Sequence, residues 1–141
     1  MEQPVDGLGK IVEVINSVDA ALNSNRVNEI IYVKINNKST KLTSLIHKAE
    51  NKNITIREVK NKKDWEFSNR HSVVAFCNPI TTYKESDISK FKDSNFIVCD
   101  HIQDTNNLGA VVRSAAAFGF NVLALPVKRS VKLSNRIFSI S

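Results

Sequence analysis

The stretch FIVCDHIQDTNNLGAVVRSAAAFGFNVLALP, residues 96–126, sets the reading of the whole chain. Phe96–Asp100 is a short apolar run closed by an acid, which predicts a strand. His101–Asn107 is a loop of turn-forming polar residues. Leu108, Val111, Val112 and Ala115 then recur at helical spacing, and the small residues at 114–117 let that helix lie close to a sheet. Gly119 is the expected C-cap, and Asn121–Pro126 the next strand. Strand, helix, strand in this order predicts a parallel pair with a right-handed crossover.

In open α/β sheets, ligands gather in the loops beyond the C-terminal strand ends. Asp100, Asp104, Asn106 and Asn107 fall there, beside a helix N-terminus whose N–H groups suit an anion. Gly109 lets a substrate backbone come close. Arg113 lies six residues beyond Asn107, and its guanidinium can grip a phosphate bidentately. Spacing alone leaves the other reading open. Asn107 is an equally good N-cap, Gly109 can serve packing, and a lone helical Arg is usually solvated.

Upstream, the segment at 81–95 is polar, without a strong period, and reads as a linker with room for one short helix. Before it the alternation of elements is dense. Ile11, Val14, Ile15, Val18 and Leu22 recur at helical spacing, predicting a helix over 10–22. Residues 29–35 and 54–59 read as strands, and Ser72–Ile80 as a third, stopped by Pro79. Between the first two, Leu42, Leu45, Ile46 and Ala49 mark a second amphipathic helix, with Ser39 or Thr40 as N-cap. Residues 1–80 thus predict a compact α/β unit.

The charge balance agrees with an anionic partner. Twenty Lys and Arg against fourteen Asp and Glu leave +6, which suits nucleic acid or an acidic membrane. Within the first unit Arg57, Lys60, Lys62, Lys63 and Arg70 cluster around Trp65. That grouping serves either phosphate contact with base stacking or a solvated basic loop with Trp65 anchored in the core. Cys77 and Cys99 sit in apolar runs, where buried inert thiols are expected, and no Cys/His group has metal-ligand spacing. There is no secretory pattern at the N-terminus and no run near the roughly 18 apolar residues of a membrane span. A cytoplasmic protein that makes no use of its sequons at Asn37 and Asn53 is the expectation.

Downstream, residues 128–141 begin a basic amphipathic stretch that includes Lys128 and Arg129. Two parallel strands and one helix bury too little to stand as a domain. The last 46 residues therefore read as the opening of something larger, and the chain as a fragment.

Residues 96–126 resemble the first signature of the SpoU/TrmH family of RNA ribose methyltransferases, in the SPOUT superfamily. Asp104, Asn107, Leu108, Gly109, Ala110, Arg113, Ser114, Ala115 and Gly119 fall into the family's order, with Thr105 where proline is usual. Residues 1–80 are similar to the ribosomal-protein-like substrate-binding domain of the rRNA-directed branch. Gly7 keeps the usual glycine. Gly9 replaces the common Asn or His, and Arg70-His71-Ser72 stands where His-Gln-Gly is frequent.

The resemblance implies an RNA substrate-binding domain at 1–80, a linker at 81–95, and the first part of a SPOUT methyltransferase domain at 96–141 with its knot missing. It implies methyl transfer from S-adenosylmethionine to a ribose 2′-hydroxyl of structured RNA, with large-subunit rRNA guanosine favoured. No metal is required. Asn107 and Arg113 take the catalytic roles, and Arg57, Lys60, Lys62, Lys63, Arg70, Lys128 and Arg129 contact RNA. Family members work as dimers through the knot. The Gly-Glu-Gly and Ser-Leu-Asn-Val-Ser motifs that hold the cofactor do not occur here, so this chain alone is expected to be inactive. The alternative is a non-catalytic RNA-binding module.

Overall fold

The computed structural model describes residues 9–34, 39–67 and 71–126, with the Thr105 side chain excepted. The chain divides into two compact units, one of which spans Gly9–Pro79 while the other takes in the chain from Ile80 onward.

The first unit is a mixed sheet of four strands, β1 (Ile11–Glu13), β2 (Val27–Val33), β3 (Thr55–Val59) and β4 (Val73–Cys77), in the order β1-β4-β2-β3. β2 and β3 are parallel, and β4 runs antiparallel to both β1 and β2. The helices α1 (Ile15–Asn23) and α2 (Thr40–Asn51) bury Val18, Ala21, Leu22, Leu42, Leu45 and Ala49 against Val12, Ile30, Tyr32, Val73 and Ala75. Strand residues alternate between faces. The other face therefore carries Ile31, Val33 and Val74, and these pack with Trp65, Phe67 and Phe76.

The first element corrects the reading of a helix over 10–22. Ile11–Glu13 forms an edge strand paired with Val74–Phe76, and the helix starts only at Ile15. The β-branched run Ile11-Val12 buries Val12 alone on the sheet's core side, a strand preference that outweighs the helical spacing of Ile11, Val14 and Ile15. Val14 makes the turn between the two elements at φ 75°, costly for a β-branched residue, and its carbonyl accepts from Val18 N–H at 3.0 Å. Ser39 rather than Thr40 caps α2, its Oγ accepting from Leu42 N–H at 3.2 Å.

Both helices end the same way. Asn25 at φ 55° and Asn53 at φ 56° are left-handed. Arg26 N–H donates to Ala21 O and Asn25 N–H to Leu22 O, while Ile54 N–H donates to Ala49 O and Asn53 N–H to Glu50 O. These are Schellman ends built on Asn instead of Gly. An Ala-x-Asn-x-Asn pattern at 21–25 and again at 49–53 marks each turn from helix into parallel strand.

From Ile80 onward, the polar segment contains a 3-10 helix, Glu85–Phe91. Its N-terminus is held by Asp87, whose Oδ2 accepts from Lys84 N–H at 3.0 Å. β5 (Phe96–Val98) and β6 (Val122–Ala124) pair in parallel, and α3 (Thr105–Ala117) joins them. The strands are shorter than expected at 96–100 and 121–126, although Cys99 N–H still donates to Ala124 O at 3.0 Å. Gly119 takes φ 79° just past α3, with Phe120 N–H donating to Ala115 O and Gly119 N–H to Ala116 O. The alternation of strands and helices in both units is the α/β class expected.

Candidate functional site

The loop after β5 and the first turns of α3 hold the residues singled out by sequence. Asp104 is the N-cap. Its Oδ1 accepts from Asn106 N–H at 2.9 Å and Asn107 N–H at 3.0 Å, and its carbonyl accepts from Leu108 N–H at 3.1 Å. Asn107 is therefore not the cap, and its exposed side chain is not spent on capping. The same bonds correct the expectation of a helix tip open to anions. Its N–H groups are taken by a carboxylate, and that negative charge opposes a phosphate at the tip.

Leu108 and Ala115 of α3 are buried with Val111 and Val112 half-buried, while Asn106, Asn107, Ala110, Arg113 and Ser114 are exposed. Among the described residues no hydrogen bond or ion pair engages the Arg113 guanidinium. At about 100° per residue, Asn107 and Arg113 stand roughly 120° apart around the helix and about 9 Å apart along it. Asn107 shares its column with Ser114, seven residues on, whereas Arg113 shares one with Asn106. The exposed face thus carries two polar columns separated by Ala110. At the mouth beside them, His101 Nδ1 lies 2.8 Å from Asp100 Oδ2, and His101 adopts φ 57°.

On the first unit, Lys60, Lys62 and Lys63 are exposed in the loop that leaves β3. Trp65, which ends that loop, is buried at 7% exposure, with its ring edge-to-face on Phe67 at 5.0 Å. Of the two readings of Trp65, the structure selects the core anchor: its faces are not offered to bases, and it pins the lysine loop to the sheet. Lys34, which sequence reasoning missed, belongs with these lysines. It follows β2, its N–H donates to Val59 O at 2.8 Å, and the parallel register sets it beside Lys60. The signal was the parallel pairing itself, which puts the residues after both strands at one end. Arg57 lies apart from this end on the strand face, exposed, with its Nε 3.5 Å from Glu29 Oε1. Arg70, Lys128 and Arg129 lie outside the described residues.

The donor set present can be tested against S-adenosylmethionine. Two open concavities of about 380 and 330 Å³ lie on the first unit, one where α1 and α2 end at Asn25 and Asn53, the other between Ile15 and Leu45. Neither borders α3, whose outer face is exposed helix and not an enclosed cleft. No helix among the described residues is long and apolar enough to cross a membrane.

No family profile matches the chain. Individual proteins do. It is 30% identical over 146 aligned positions to the 23S rRNA (guanosine-2′-O-)-methyltransferase RlmB of Blochmanniella floridana, covering 95% of this chain and 57% of that one. It is 28% identical to RlmB of Photorhabdus laumondii, with 90% and 55% covered. A putative TrmH family tRNA/rRNA methyltransferase of Bacillus subtilis, YacO, is 27% identical, with 89% and 53% covered. The chain spans about half the length of the curated relatives it matches. The fold is that of the SpoU methyltransferase AviRb from Streptomyces viridochromogenes, at TM-score 0.64 and 16% identity over 91% of this chain and 47% of that one. With Asp104, Asn107, Leu108, Gly109, Ala110 and Arg113 carried on a strand-loop-helix of that fold, and with sequence similarity along most of its length, the chain is similar to RlmB and TrmH-family RNA methyltransferases.

Proposed function

We propose that this chain supplies the RNA-binding unit and the first part of the catalytic unit of an S-adenosylmethionine-dependent ribose 2′-O-methyltransferase acting on large-subunit rRNA, a guanosine being the favoured target. The single observation that carries this reading is α3, where Arg113 stands exposed, with no partner among the described residues, on a helix that follows the C-terminal end of β5. Two of the relatives named above are 23S rRNA (guanosine-2′-O-)-methyltransferases and the third a putative TrmH family tRNA/rRNA methyltransferase, and AviRb has been solved with S-adenosylmethionine bound. When bound, that cofactor supplies an electrophilic methyl group.

The residues of this chain bind and orient the nucleotide. A guanidinium stays charged at any ordinary pH, so Arg113 serves as a phosphate clamp and a stabiliser of charge developing on the ribose oxygen, not as a base. Asn107, on the neighbouring column, is placed to orient the ribose. Lys60, Lys62 and Lys63, joined by Lys34, grip phosphates at one end of the first sheet, with Arg57 on its flank; Arg70, Lys128 and Arg129, outside the described residues, also contact RNA. Residues 1–80 act as the RNA-binding domain, 81–95 as the connection, and 96–141 as the incomplete catalytic part. The complete enzyme is a cytoplasmic homodimer.

The second reading, a non-catalytic RNA-binding module, is favoured by the first unit, which has its own core and carries the exposed Lys60, Lys62 and Lys63. Calorimetry with S-adenosylmethionine, followed by methyl transfer to rRNA, separates the two. Both use this chain and a fusion carrying the C-terminal half of an RlmB relative. If only the fusion binds cofactor and methylates RNA, and Arg113→Ala abolishes transfer, the enzyme reading stands. RNA binding by both proteins with transfer by neither gives the module reading.

A further inference from the structure

We infer that Asn106, rather than only Asn107, is the residue that works with Arg113 in holding the RNA: the two bracket a shallow seat over Ala110 that takes one ribose-phosphate unit. The inference rests on the proposed role of Arg113 in RNA contact.

It follows from three features of α3. The tip of the helix is closed to a phosphate, because the Asp104 carboxylate already occupies the N–H groups of Asn106 and Asn107. A phosphate drawn to Arg113 must then lie along the side of the helix. Side chains on a helix lean towards its N-terminus, so Arg113 reaches back over Ala110 in the direction of residue 106. Asn106 is seven positions earlier, roughly 20° away around the axis and about 10 Å along it, which puts the two at opposite ends of one column.

Composition of the seat fits the same ligand. Its floor is shared by Ala110, exposed and small, and the buried backbone of Gly109, which flank the Asn106–Arg113 column on either side. Among the described residues no side-chain hydrogen bond engages the Asn106 carboxamide, although its backbone N–H is capped. A carboxamide offers a donor and an acceptor, as a sugar hydroxyl or a base edge requires, and a guanidinium suits the phosphate. Asn107, by contrast, shares its column with Ser114 and approaches the same unit from the side.

A double-mutant cycle on the full 141-residue chain tests this, with a fluorescein-labelled RNA hairpin carrying a loop guanosine as probe and anisotropy as readout. Arg113→Ala should weaken binding about 10-fold, the loss of a charge-assisted contact. Asn106→Ala should weaken it about 4-fold, and adding it to Arg113→Ala should cost less than about 2-fold more, because coupled contacts are lost together. Asn106→Gln, which keeps the carboxamide, should restore most of the affinity. Ala110→Leu should weaken binding by filling the seat while leaving the helix intact, since Leu is a strong helix former. Circular dichroism checks that the fold is unchanged. If Arg113→Ala weakens binding while Asn106→Ala and Ala110→Leu do not, the seat is wrong and the role of Arg113 survives. If Arg113→Ala has no effect, both the seat and that role fall.

Discussion

Gly9–Pro79 covers both faces of its sheet, with helices on one side and an aromatic loop on the other. From Ile80 onward the described residues cover one face of a two-stranded sheet with one helix. The difference shows in what is buried. Among the described residues, seventeen of the twenty buried apolar ones lie in the first unit, and Cys99, Leu108 and Ala115 in the second. Val98 stays 74% exposed and Phe118 81%. Yet the second unit carries the strand-loop-helix on which the methyltransferase reading depends. Burial is unequally shared among the described residues: one unit has a core on both faces of its sheet, and the other exposes Asn107 and Arg113 on a helix that buries few side chains.

Core truncations put the largest strain on that contrast. Ile31 is fully buried in the centre of the first sheet, so Ile31→Ala should cost about 3–4 kcal/mol in denaturant unfolding monitored by Trp65 fluorescence. Leu108→Ala should leave that transition unmoved and loosen only α3, whose neighbours Val111 and Val112 are already half-exposed. A shared loss in both transitions would break the comparison.

Thiol reactivity compares the two units directly. Cys77 and Cys99 are equally buried at 5% exposure, and burial pushes both thiols up, offset in part for Cys77 by Arg26. A raised pKa leaves less thiolate at neutral pH, so both should alkylate slowly and faster as pH rises. Cys99 should react by local opening in native buffer, whereas Cys77 should react only as fast as its whole unit unfolds. Mass spectrometry of the alkylated peptides gives both rates, and equal rates would contradict the account.

Caps and surface charges bring smaller effects. Asp104→Ala removes the acceptor for two N–H groups and should cost the second unit about 1 kcal/mol, seen as faster exchange in the first turn of α3. Arg57 and Glu29 form a half-exposed pair at 3.5 Å, so Arg57→Met should change stability by less than about 0.5 kcal/mol while lowering RNA affinity. A large stability loss there would make Arg57 structural.

How far the sequence reveals these features varies by element. The α3 helix, its Gly119 end and the strands around it were legible, because apolar spacing, a glycine stop and an ordered motif coincide within 31 residues. The cap was not: Asp104, Thr105, Asn106 and Asn107 are successive turn formers, three of which cap well, and only geometry selects Asp104. β1 was hidden because Ile11, Val14 and Ile15 satisfy helical spacing even as Val12 satisfies strand alternation. Trp65 was ambiguous for a different reason. An aromatic among lysines reads equally as a stacking platform or an anchor, and the choice depends on Phe67 and Phe76, the second of which lies on another strand. Lys34 escaped because it joins Lys60 only through the parallel register of β2 and β3.

The measurement that tests the central claim most directly is residue-resolved hydrogen exchange on the full chain, with and without an RNA hairpin. The account predicts slow exchange in β2 and β4 and fast exchange in β5 and β6 for the free protein. With RNA, protection should rise in the loop at Lys60–Asp64 and along Asn106–Arg113, and not in α1. Uniform protection in the free chain, or RNA protection that leaves α3 untouched, would contradict it.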